Sequence, residues 1–167
     1  MKRKKKLFNR PMKLYQKNRI QEENLLVKEY GLKNKREIWK TLAKISYFRK
    51  RAMALSKESK EEQEVFFNKL KSIGLNTESI NDVLDLKIED LLKRRLPTIV
   101  FGKKLAHTVK HARQMVVHKK IKVDKNIVDV PGYIVPIEME SKISVRVKKT
   151  AKKENLNQEQ NSGEIAQ

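Results

Sequence analysis

Between Lys93 and Lys125 the chain sets eleven Lys or Arg and all three of its histidines against one acid, Asp124. Two kinds of chemistry could use such a block. His107, His111 and His118 fall near about 0°, 40° and 20° on a helical wheel, so they could share a face and hold a metal ion. His111 and His118 are seven residues apart, however, about 10 Å along a helix, and one ion cannot reach both. No nearby Glu completes the general-base arrangement of H-E-x-x-H, so no metal and no other cofactor is expected. The second chemistry is ionic: each Lys or Arg set against a phosphate releases condensed counterions. On that reading Arg94, Arg95, Lys103, Lys104, Lys110, Arg113, His118, Lys119, Lys120 and Lys122 meet phosphates along one face. His111, Gln114 and Tyr133 are the candidates for hydrogen bonding or stacking.

The whole chain supports the ionic choice. Forty Lys and Arg against 20 Asp and Glu leave a formal charge of +20 on 167 residues, a charge that opposes compaction. Hydrophobic residues make up 38%, below the roughly 45 to 50% usual for a soluble domain. A polyanion would relieve the repulsion, with nucleic acid the first choice and an anionic membrane the rival. The membrane reading lacks a helix with bulky apolar residues opposite a purely basic face. No apolar run approaches the roughly 20 residues that cross a bilayer, and Lys2 to Lys6 are not followed by a signal-type stretch, so a cytoplasmic protein is expected. The absence of cysteine excludes disulfides, thiolate nucleophiles and Cys-based zinc sites. The five glycines form neither G-x-G-x-x-G nor a Walker loop, which leaves no cradle for a nucleotide cofactor and no sign of an enzyme.

Four segments position these residues. Residues 1–20 carry nine Lys or Arg and no acid, a composition expected to stay extended as a basic arm. Residues 21–92 read as helical. Asn34 with Glu37 three residues on resembles a capping box, and Ile38, Leu42, Ile45, Ala52 and Leu55 then recur at helical spacing. Lys40, Lys44, Arg49, Lys50 and Arg51 spread over the other faces as further candidate contacts, while Trp39 is read as core. Ser59 with Glu62 opens a second helix that Gly74 would stop, and the pair is expected to form a hairpin. Residues 79–92 suggest one or two short bracing helices.

Residues 93–147 form the third segment. A helix over 108–118, capped by Thr108, would put Val109, Ala112, Met115 and Val116 on one side. Lys110, His111, Arg113, Gln114 and His118 would take the other. The apolar period then shifts to two at Ile121 and Val123, at Ile127 and Val128, and at Ile143, Val145 and Val147, with Pro131-Gly132 and Pro136 as punctuation. The expected fold class is α+β: a helical N-terminal region, then helices packed on a short, mostly antiparallel sheet. Residues 148–167 are polar and expected to be disordered.

The run Ala112-Arg113-Gln114, an apolar pair, His118, Ile121 and Val123, followed by Pro131, Tyr133 and Val135, resembles the S-four RNA-binding domain. Arg94-Arg95-Leu96, Thr98, Val100 and Leu105-Ala106 fit the same domain's first helix and approach. The stretches Ile38-Trp39-Lys40 and Phe48-Arg49-Lys50-Arg51-Ala52 look like the helical region of the archaeal and eukaryotic type of small-subunit ribosomal protein of the S-four family. That resemblance implies a primary rRNA binder that nucleates the small subunit's body, sits near the path by which mRNA enters, and has the S-five family as a neighbour. Two departures from the pattern stand out: Asp124-Lys125 where Asn-Gly is common, which bears on how tight the first hairpin is, and Gly132 where a Ser is frequent. S-four domains are also appended to RNA-modifying enzymes and occur in free-standing ribosome-rescue or heat-shock factors. The former need a catalytic domain that this chain does not suggest, and the latter is the alternative to a ribosomal constituent.

Overall fold

Helix α1 (Lys17–Glu29) begins inside the stretch expected to be an extended arm. The structure, a computed structural model, describes residues 7–146, so Lys2 to Lys6, Val147 and the polar tail lie outside the described residues. The arm shortens because Arg19 has a partner on the helix itself. Its guanidinium meets Glu23 one turn on at 3.0 Å and also donates to the carbonyls of Lys13 and Leu14, which turns the preceding chain back onto the helix start. Phe8 then lies 6.0 Å from the ring of Trp39, packed rather than solvated.

Helix α2 (Lys35–Leu55) follows with Asn34 at the N-cap position, but no side chain caps it. Ile38, Ile45, Phe48, Ala52 and Leu55 are buried. At about 100° per residue these five span an arc of about 100°, and Leu42 falls about 40° beyond its edge. Leu42, expected in the stripe, is accordingly 47% exposed, and Phe48 takes the inward place. Helix α3 (Lys60–Ile73) packs Leu70 against Ile45, Phe48 and Ala52, as a hairpin should. It ends at Gly74, whose φ of 91° is left-handed and lets Leu75 donate back to Leu70. Helices α4 (Ile80–Asp85) and α5 (Ile88–Lys93) complete the layer, the first opened by a reciprocal capping box between Ser79 and Asp82. Val83, Leu86 and Leu91 close the core begun by α2 and α3.

The second layer starts with α6 (Leu96–Gly102), with Pro97 in its first turn, and α7 (Val109–Val117). The Thr108 hydroxyl accepts from the amide of His111 at 3.1 Å, as expected of the cap. Three strands follow: β1 (Ile121–Val123), β2 (Asn126–Ile127) and β3 (Ile143–Val145), antiparallel in the order β2-β1-β3. Asp124 adopts φ 55°, and Val123 stands opposite Asn126, so the hairpin keeps a two-residue turn without glycine. Asp is among the few residues that enter this region readily. A one-turn helix, α8 (Ile137–Glu140), intervenes after Pro136 where only a break was expected. Leu96, Val100, Ala112, Val116, Ile121 and Val135 form the fully buried heart of this half. Leu96 donates to Tyr133 and Val135 donates to Arg94, which ties the segment after β2 back to the start of the layer. The architecture is α+β, with helices on a small antiparallel sheet.

Candidate nucleic-acid interface

Helix α7 has the two sides its spacing demands. Ala112, Met115 and Val116 are buried, whereas Lys110, Gln114 and His118 are exposed and His111 is half-buried. His111, Gln114, His118 and Lys120 gather around Met115 in one shallow groove of about 170 Å³. The rings of His107 and His111 stack 5.9 Å apart and 6° from parallel. Lys119 leaves the helix with a φ of 57°, and its ammonium stands 3.8 Å from Asp129, both ends being exposed and the pair weak. Lys104 also has a left-handed backbone and is exposed, and Lys122 is half-buried on β1.

Other cations of the block face protein, contrary to expectation. Arg95 is 7% exposed and donates to Glu37 at 2.6 Å and to the carbonyl of Pro131 at 3.2 Å. Arg113, expected on the cationic front, binds the same Glu37 through both terminal nitrogens at 3.0 and 2.7 Å. Arg94 donates to the carbonyls of Ile73 and Val135 and pairs with Glu140 at 2.9 Å. Lys103 donates to the carbonyl of Glu140. Lys103 thus stays within its own layer, and the three arginines share a different reason. They lie where the two layers meet, and a cation that is losing water there needs protein acceptors, which a guanidinium fork can meet several at a time. Tyr133 is likewise half-buried and packs on the core below α6 and α7, not out in solvent.

Glu37 is the centre of this seam: its carboxylate is taken by Arg95 and Arg113 and does not reach back to close a capping box, and its amide donates to the Asn34 carbonyl at 3.2 Å. Burial pushes its carboxyl up, but the hydrogen bonds and charges of Arg113 and Arg95 outweigh that and hold it below the usual carboxylate range. Another acid, the buried Glu23, bridges the first helices by contact: it meets Arg19 at 3.0 Å, Lys35 at 3.3 Å and the indole N–H of Trp39 at 2.9 Å. Trp39 is therefore a core residue with a satisfied donor, as read. Sequence reasoning passed over Glu23 and read Glu37 only as part of a helix cap. The i, i+4 spacing of Arg19 and Glu23 was a signal for the first. For Glu37 no local signal exists, since its partners lie 58 and 76 residues away.

On α2 the candidates Lys40, Lys44, Arg49, Lys50 and Arg51 are all exposed. Two of them also bind protein: Arg49 donates to the carbonyl of Leu86 at 2.9 Å, and Arg51 stands 3.8 Å from Glu58. The Lys44 ammonium lies 5.8 Å from the Phe48 ring centre, and partial loss of water at that end of an otherwise exposed residue, together with nearby Lys69, lowers its pKa. Among the described residues no helix is long and apolar enough to cross a membrane, and no group of three His, Asp or Glu gathers as metal ligands do.

A cationic helix front over a three-stranded sheet defines the class, and residues 94–141 match the S4 domain family. Over a longer span the chain is 43% identical to the small ribosomal subunit protein uS4 of Methanothermobacter thermautotrophicus, across 144 residues that cover 83% of this chain and 84% of the relative. It is 42% identical to uS4 of Nanoarchaeum equitans over 149 residues, covering 84% and 83%, and 40% identical to uS4 of Methanosphaerula palustris over 148 residues, covering 82% of each. The chain belongs to the uS4 family of small ribosomal subunit proteins. These relatives are ribosomal proteins, not enzymes.

Proposed function

We propose that this protein is a structural constituent of the small ribosomal subunit in the cytoplasm, and that it holds small-subunit rRNA mainly through its second layer. The observation that carries this reading is what remains on the surface once Arg94, Arg95 and Arg113 are paired inside. Lys104, Lys110, Gln114, His118, Lys119 and Lys120 stay exposed along α7 and its approach to the sheet. Phosphates are the natural partners of such a row, and shape and 2′-hydroxyls the natural basis of recognition, because the major groove of an RNA helix is too deep and narrow to read.

The helical region, residues 21–92, then acts as a second grip through Lys40, Lys44, Lys50 and the outer nitrogens of Arg49 and Arg51. Two grips on one folded transcript favour a role in nucleating the subunit's body, while a neighbour of the S-five family and a place near the mRNA path are what the family resemblance adds. Supporting this, the two layers are joined by Glu37, which holds Arg95 and Arg113, and by Arg94, which donates to the carbonyl of Ile73, so that the grips keep a set spacing. The test is a filter-binding titration against the small-subunit rRNA transcript. If about six to ten phosphates are neutralised, affinity falls by roughly 10³ to 10⁵ between about 50 and 200 mM salt. A flat salt dependence overturns the mechanism. Co-sedimentation with mature small subunits in high salt separates a ribosomal constituent from a free-standing factor.

A further inference from the structure

A cleft of about 330 Å³ opens between α2 and the loop at residues 130–134. Its two sides differ in chemistry. Along α2, Lys40 and Lys44 stand one turn apart with the Thr41 hydroxyl between them, and the Glu37, Arg95 and Arg113 cluster forms the end wall. The facing side is apolar, built from Val130, Pro131 and Ile134, and Leu91 of α5 also enters the lining. Four cations to one carboxylate make the lining positive, and that carboxylate is already held by two guanidiniums. A bare phosphate would have no use for the apolar side, and a paired base could not leave its stack to reach it.

We infer that this cleft receives one unpaired nucleotide of the bound RNA, its base against Val130, Pro131 and Ile134 and its phosphate on Lys40 and Lys44. The inference rests on the rRNA-binding reading and sharpens it. Unpaired bases are the parts of structured RNA that proteins take in individually, and an apolar wall accepts the face of any base. The volume lies at the small end of the range of ordinary ligand pockets, enough for one nucleotide and not for a duplex. Thr41 donates its hydroxyl hydrogen to the Glu37 carbonyl at 2.8 Å, which leaves its oxygen free to accept from a base amine or a 2′-hydroxyl.

Gly132 supplies the test. It lines the cleft, and a Cβ added there meets nothing within 4 Å, so Gly132→Phe can fill the space without a clash at its first carbon. In filter binding to the small-subunit rRNA transcript, Gly132→Phe is expected to weaken affinity by about five-fold or more, the low end of a stacked base's worth because the wall is aliphatic, with the salt slope lower by at most about one for the single phosphate on Lys40 and Lys44 and far-UV circular dichroism intact. In parallel, the full-length protein bound to the transcript is irradiated with ultraviolet light and its peptides are read by mass spectrometry. A nucleotide adduct within residues 130–134 or 37–44 supports the inference. Adducts on α7 or β1 with none at the cleft overturn it, and so does wild-type affinity in Gly132→Phe, the titration deciding alone if no adduct forms or if the variant fails to fold and Val130→Trp must replace it. In each of those outcomes the wild-type protein still binds in a salt-dependent way. Loss of that dependence would instead remove the broader reading of an rRNA binder.

Discussion

Arg113 on α7 holds Glu37 on α2 through two hydrogen bonds of 3.0 and 2.7 Å, across 76 residues of sequence. This fork, with Arg95 as a third donor to the same carboxylate, joins the S4 domain to the helices before it. The charges are mostly out of water: side-chain exposure is 9% for Arg95, 17% for Glu37 and 20% for Arg113.

Removing the carboxylate leaves two guanidiniums without their anion. Glu37→Ala should therefore lower the stability of the fold by about 3 kcal/mol or more, measured by urea denaturation, since breaking a buried pair costs more than the pair contributes. Arg113→Ala should also destabilise, and the two losses should fall short of their sum in the double variant. Strict additivity would mean that the pair does not hold the layers together.

The same carboxylate sets a response to acid. Its pKa in the folded chain is below the ordinary value, so the folded state binds fewer protons than the unfolded chain there. Its contribution is complete above about pH 4.3, the ordinary Glu value, and is lost as pH falls further through the folded pKa. Urea midpoints of the wild type and Glu37→Gln should differ at neutral pH and converge in acid. A gap that widens in acid would have the wrong sign.

Gly74 ends α3 with a left-handed φ of 91°, and a Cβ there would come within 2.5 Å of Arg94 Nε. Gly74→Ala meets a backbone penalty and also pushes Arg94 off the carbonyl of Ile73, for a loss of about 1–3 kcal/mol. A melting temperature equal to that of the wild type would show that both the turn and the bracket adjust freely.

Lys110 and Lys120 are exposed and without a protein ion pair among the described contacts. Replacing both by Ala should leave the fold unchanged and reduce the salt slope of rRNA binding by about 2, close to one per lost phosphate contact. An unchanged slope would place the phosphates elsewhere on the protein.

Much of this was legible along the chain because it is local. The cap at Thr108, the stop at Gly74, the two short helices after residue 79 and the shift to period two at Ile121 depend on neighbours within a few residues. The start of α1 was misread because a run without acids looks unable to order itself, while the acid that orders it, Glu23, sits just past the run's end.

By itself, then, the order of residues determined the class of partner, the two-sided helix α7 and the antiparallel sheet, since net charge and periodicity need no knowledge of distant contacts. Only the tertiary structure decided which cations are free. Charge density cannot tell a guanidinium that meets solvent from one that meets Glu37, because that choice depends on two helices crossing, and a cation that loses water at the crossing must take a protein acceptor.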